Sequence, residues 1–187
     1  GIECQRSEWN KLANVYTMFG KPKSMREIIK RNTEIEATVC GICMLTTIKH
    51  AEYPEESGQW VFKGRAVVLG DRNSKIIPQT DASKRTSYWW HSLDSQVASL
   101  EQVRLLDAYA CIHGYKIEAV DLESAYLQAY WPTDMPTHYL KIPRDLARFL
   151  GGELVPPNWM SDPVWPMLRA GYGHPASGHL WNNLLYN

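Results

Sequence analysis

A net charge of either sign is the first thing this sequence lacks. Its 20 basic and 20 acidic side chains cancel. That excludes a protein gripping nucleic acid by bulk positive charge and leaves room only for a local patch. The balance is uneven: residues 1–50 lean basic, and the stretch from Asp121 onward leans acidic. Cysteine is scarce too, with four in 187 residues: Cys4, Cys40, Cys43 and Cys111. A disulfide framework is excluded at that density, and a reducing, intracellular compartment (cytoplasm or nucleus) is the expectation. Cys40 and Cys43 form a C-x-x-C within the apolar run TVCGICMLTTI, but no second pair follows at zinc-ribbon spacing. They read as strand cysteines that pack, with a redox or zinc module as the alternative. No apolar run approaches the roughly 20 residues of a membrane span, and no signal-peptide pattern opens the chain. Gly1 in place of Met points to a processed product or a piece of a longer chain. G-x-S-x-G, the phosphate loop G-x-x-x-x-G-K-S/T and H-E-x-x-H are all missing. His174 and His179 are five apart, the wrong spacing for one helical face. No internal repeat and no low-complexity tract breaks the chain.

What is present is a core. Apolar residues make up 44% of the chain, enough for a core and against wholesale disorder, and 187 residues fit one ordinary domain or two small ones. Trp9, Leu12 and Tyr16 predict a helix over 7–18. SMRE, opening at Ser24, predicts a capping box with Glu27 and a short helix through Ile28 and Ile29. Residues 39–49 and QWVFKGRAVVLG predict two strands joined by the turn-forming YPEESG, a β-hairpin. Residues 73–95 read as polar and irregular, broken by YWW. In SLEQVRLLDAYACIHGYK a capping box at Ser99 and Gln102 starts a helix. Leu100, Val103, Leu106 and Ala110 form its stripe, and Gly114 stops it. KIEAVDLE then predicts a strand, the helix before it being long enough for a crossover. THYLKIP and DPVWPMLR predict two more, with a loop around GGELVPPNW between them. A last helix is expected to turn Leu180, Leu184 and Trp181 inward.

Two features carry chemistry. Asp121 closes the apolar run of KIEAVDLE. A carboxylate at the carboxyl end of a buried strand is placed to hold a hard cation such as Mg²⁺; the alternative is a cap on the next turn. Lys63 and Arg65, two apart on one strand, point to one face. They read as a charged edge that blocks aggregation or as a basic grip.

Four blocks in order, from about Val61 to Leu185, resemble a known family. FKGRAVVLGDR resembles the basic fingers strand of copia-type LTR-retrotransposon reverse transcriptases. SLEQVRLLDAYACIHGYKIEAVDLESAYLQA resembles their helix and first catalytic motif. HYLKIP is similar to the V-Y-M-x-x-P that follows. VWPMLRAGYGHPASGHLWNNLL resembles their L-Y-G-L-x-Q-A-P-R-x-W block. The resemblance implies an α+β fold: a fingers hairpin plus a partial palm, with helices on one face of a small mixed or antiparallel sheet. It implies one partial domain over 1–187, fingers-like to about 95 and palm-like from about 96. The activity implied is RNA-directed DNA polymerisation, with Mg²⁺, deoxynucleotides and an RNA or DNA template–primer.

By this resemblance Asp121 is the first metal carboxylate, with the Leu122 carbonyl as a further ligand. Lys63 and Arg65 hold the incoming triphosphate. Tyr126 is the steric gate against a ribose 2′-hydroxyl, and Gly173 lets template–primer approach the backbone. The sequence departs from the family at Ala176, Ser177 and Gly178, where Q-A-P is typical. The aromatic-x-D-D hairpin that supplies the other two carboxylates is expected beyond Asn187. The expectation is therefore no polymerisation by this chain alone, weak Mg²⁺ binding, and an uncovered palm edge that invites a protein partner or self-association. The alternative is a domesticated remnant serving as a structural or interaction subunit. Its eight tryptophans and ten tyrosines would furnish the interface.

Overall fold

Trp9 and Leu12 lie on one side of the opening coil, and both are fully buried. In the computed structural model of the protein, which describes residues 2–31, 37–70, 74–75 and 98–186, helix α1 spans Ile2–Asn10 and widens into a π-helical turn at Lys11–Val15. Thr17, at φ 49°, ends the coil. Trp9 then meets Phe19 with ring centres 5.3 Å apart.

A two-residue strand β1 (Lys23–Ser24) leads into α2 (Met25–Arg31). The expected capping box is replaced by a distant cap. Asp162 Oδ2 accepts from the Arg26 amide at 2.9 Å, and the Ser24 hydroxyl donates to Asp162 Oδ1 at 2.9 Å. A carboxylate beside the free amides of a first helical turn serves better than a hydroxyl, because it also meets the positive end of the helix dipole.

The hairpin forms as its sequence predicts. Strand β2 (Thr38–Lys49) pairs antiparallel with β3 (Val61–Val68) from Ile42↔Val68 to Lys49↔Val61. Gly58, at φ 67°, closes the short 3₁₀ turn between them. The end nearest the turn, 45–49 and 61–63, is exposed on both faces, so the hairpin projects like a finger. A short β4 (Ser74–Lys75) pairs with the start of β2. The expectation for residues 73–95 lies almost wholly outside the described residues.

Helix α3 (Leu100–His113) has the boundaries read from sequence. Ser99 and Gln102 cap each other reciprocally, and Gly114 ends it at φ 67°. Its packing differs from the expectation. Of the predicted stripe only Ala110 is buried, and Leu106 is 66% exposed. Nor do residues 116–121 form the predicted strand; they are irregular and exposed. A strand needs a partner for its amides and carbonyls. The parallel place beside β2 is taken by β5 (His138–Lys141), in the register Thr38↔His138 to Gly41↔Lys141. Thus the helix and strand expected to build the palm around Asp121 are not packed against the sheet.

The remaining elements are α4 (Ala125–Gln128), α5 (Arg144–Ala147), β6 (Pro163–Pro166) and α6 (Ser177–Tyr186). The sheet runs β1-β6-β5-β2-β3, a mixed α+β arrangement that draws strands from both sides of the division expected near residue 95. Its two faces are both apolar. Cys40, Ile42, Leu140 and Trp165 join Trp9 and Leu12 under α1. Val39, Tyr139 and Val164 pack with Ile28 of α2. Helices therefore lie on both faces, not one, because alternate residues of β2, β5 and β6 are apolar in both directions. Leu180 of α6 is buried beside Ala129, Ala170 and Ala176, whereas Leu184 is exposed. Among the described residues no helix is long and apolar enough to cross a membrane.

Candidate functional site

Alternation along β3 sorts its side chains. Gly64, Ala66 and Val68 are buried, and Lys63 and Arg65 are exposed. Gly64 must be glycine: a Cβ there would stand 2.7 Å from the Cys4 carbonyl oxygen of α1. That close approach fixes the strand and so aims the two cations outward. β3 is also the outer strand of the sheet, so the charges guard an edge as well as offering a grip.

Arg65 has an aromatic seat. Its guanidinium carbon lies 4.9 Å from the centre of the Tyr172 ring. Tyr172 in turn meets Tyr126, centre to centre at 5.4 Å. The seat is anchored by backbone: the Val68 amide donates to the Tyr172 carbonyl at 2.7 Å. Next to it Gly173, at φ 83°, presses so close that a Cβ would come within 2.3 Å of the Val68 carbonyl oxygen. Only glycine tolerates both the left-handed backbone and that contact. Partial burial raises the Tyr172 phenol above its ordinary range, and Arg65 opposes the rise.

Tyr126 is held from the other side. Ser124, at φ 53°, opens α4, and Leu127 beneath is buried. The Ala170 amide donates to the Ala129 carbonyl at 2.9 Å, and Arg169 Nη1 donates to the Gln128 carbonyl at 3.0 Å. The same guanidinium covers Tyr130 at 3.6 Å. These bonds join α4 to the run leading into Tyr172.

A second charged pair borders the cluster. The Lys11 ammonium donates to the Glu123 carboxylate. That bond raises the lysine and lowers the glutamate, and Lys63 contributes further to lowering Glu123. Lys63 therefore belongs to the same field as Lys11 and Glu123.

Asp121 stands apart. It is exposed in the irregular segment before α4, and no side-chain hydrogen bond or ion pair joins it to another described residue. The turn-capping alternative is thereby not realised. Leu122 is 47% exposed. Among the described residues no three His, Cys, Asp or Glu side chains gather to hold a metal ion. Asp121 and one carbonyl do not cage Mg²⁺ by themselves, so its remaining ligands would be water or substrate phosphate; Glu123, the nearest further carboxylate in sequence, is engaged by Lys11.

Among the described residues the cysteines of the C-x-x-C form no disulfide, Cys40 being buried and Cys43 partly so. Cys40 packs, and it does so against a buried histidine that sequence reading passed over. His138 shares a hydrogen bond with the Thr38 hydroxyl through Nδ1 at 2.6 Å and one with the Cys40 sulfur through Nε2 at 3.0 Å, and a neutral ring donates at one of these nitrogens and accepts at the other. His174 meets it edge-on, with ring centres 4.6 Å apart. Burial, then the neighbouring His174, pushes His138 well below its ordinary range; burial lowers His174 to about 3. Both rings are neutral at pH 7. Tyr172, Lys11 and Glu123 were likewise missed, and for Tyr172 the signal was its place beside Gly173.

No family model, curated protein or solved structure matches this chain.

Proposed function

We propose that the chain is a fingers and partial-palm portion of a copia-type retrotransposon reverse transcriptase, with Lys63, Arg65, Tyr126 and Tyr172 forming a nucleotide-handling cluster. One observation supports it above the rest. Arg65 and Tyr126, from two sequence blocks that resemble that family, both contact Tyr172, which belongs to a third. A guanidinium held on an aromatic ring keeps its fork free for phosphate, and a tyrosine beside it limits what the sugar carries. Deoxynucleotide and template–primer are the ligands of this reading, and its setting is intracellular. Mg²⁺ would arrive with the triphosphate, because this chain's own oxygens do not cage it.

The test is equilibrium binding of a fluorescent deoxynucleoside triphosphate and its ribo counterpart. Weak binding of the deoxy form, lost in Arg65→Ala, with the ribo form gaining in Tyr126→Ala, is expected. Indifference to both substitutions would reject the reading.

A second reading is favoured by α3. Leu105, Leu106 and Ile112 are 72%, 66% and 80% exposed, and exposed apolar side chains gathered on one helix suit an interaction surface. It suits a domesticated remnant acting as an interaction subunit. Sedimentation of the chain at rising concentration, with and without Leu106→Lys, tests it.

A further inference from the structure

A cleft of about 520 Å³ opens between the start of α1 and the turn after α5, lined by Ile2, Arg6, Arg148 and Phe149. It lies within the size range of small-ligand sites. Two guanidiniums share its single aromatic ring: Arg148 stands 4.9 Å and Arg6 5.8 Å from the centre of Phe149. Neither arginine forms an ion pair with a carboxylate among the described residues. Two like charges against one ring repel each other, and the ring's quadrupole offsets only part of that. An anion held in the cleft that both arginines line would relieve the repulsion. Arginine forks match the oxygens of a phosphate better than a point charge does, while Ile2 and Phe149 offer an apolar wall to whatever the phosphate is attached to.

We propose that Arg6, Arg148 and Phe149 form a binding site for a small phosphate ester with an aromatic or apolar body. The site uses none of the residues of the Arg65 cluster and does not rest on the polymerase reading.

Calorimetric titration of the full chain with phenyl phosphate, inorganic phosphate and phenol tests it. Phenyl phosphate should bind saturably, about tenfold tighter than inorganic phosphate, and phenol should give no signal. Arg6→Gln and Arg148→Gln should each weaken phenyl phosphate about fivefold or more, and the double substitution should abolish it. Phe149→Leu should remove the preference for phenyl phosphate and spare inorganic phosphate. Both arginines are exposed, so unchanged thermal unfolding of the glutamine variants confirms that the fold is intact. Absence of saturable binding, or equal affinity in the double variant, overturns the proposal. So does loss on Arg65→Ala instead, which would move the phosphate to the other cluster. Binding of a ten-residue oligothymidylate without any of phenyl phosphate also overturns it, in favour of a polymer backbone.

Discussion

Arg65 and Tyr172 meet face to charge, 4.9 Å from guanidinium carbon to ring centre, with Tyr126 against the far partner of the pair. The contact joins the outer strand of the sheet to the run that precedes α6. An exposed cation–π pair contributes about 0.5–1 kcal/mol, so its larger effect is orientation.

Tyr172→Phe keeps the ring and should change stability by less than about 0.5 kcal/mol. Tyr172→Leu removes it and should cost about 1–2 kcal/mol, while weakening any ligand that Arg65 grips. Urea unfolding of the two variants separates the ring from the hydroxyl. Equal losses in both would mean that the hydroxyl, not the stacking, matters.

Gly173 and Gly58 make a controlled pair. Both have positive φ, 83° and 67°, but a Cβ at Gly58 meets nothing within 4 Å, whereas at Gly173 it strikes the Val68 carbonyl. Gly58→Ala should cost about 1 kcal/mol, the backbone strain alone. Gly173→Ala adds a backbone collision and should cost several times as much, as a large drop in melting temperature. Similar losses at the two sites would show that the strap carrying Tyr172 yields easily.

The buried histidines give stability a pH dependence of definite sign. Folded His138 and His174 both titrate below the ordinary 6.5, His174 at about 3. The unfolded chain therefore takes up protons first as pH falls. The stability that the neutral rings allow is fully present above about pH 6.5 and is lost progressively below it, by up to about 1.4 kcal/mol per pH unit for each histidine. Burial is the larger cause of the lowering at His138, and the neighbouring His174 adds to it. Unfolding free energies at pH 7, 6 and 5 should fall with that slope, and His174→Gln should flatten it. A flat profile in the parent chain would mean that other groups compensate.

The parts of the fold that local chemistry dictates were legible in the sequence. The β2–β3 hairpin follows from its β-rich runs and Gly58, and α3 from Ser99, Gln102 and Gly114, because each signal acts within a few residues. What failed was non-local. KIEAVDLE alternates well enough for a strand, but whether it becomes one depends on a free sheet edge, and β5 holds the place beside β2. The cap of α2 comes from Asp162, far along the chain, which no pattern around Ser24 reveals. In the candidate site, Lys63 and Arg65 sharing one face of β3 follows from strand periodicity. Their partners Tyr172, Lys11 and Glu123 are brought in by tertiary packing, so spacing could not find them.

Asp121 sets the last prediction. Two-metal phosphoryl transfer needs several oxygens to fix both ions, one to activate the attacking hydroxyl and one to steady the leaving group. Asp121 is a single exposed carboxylate in an irregular segment, and no metal-holding cluster gathers among the described residues. A lone carboxylate of that kind binds Mg²⁺ weakly and holds no geometry. With a labelled primer on an RNA template, Mg²⁺ and deoxynucleotides, the chain alone should show no extension above an Asp121→Ala control. Arg65→Ala, by contrast, should lower nucleotide binding measured in the same buffer, so the two substitutions divide chemistry from recognition. Extension that depends on Asp121 would show that the segment from 115 to 122 orders around metal and substrate, and would restore the strand that the folded chain leaves unformed.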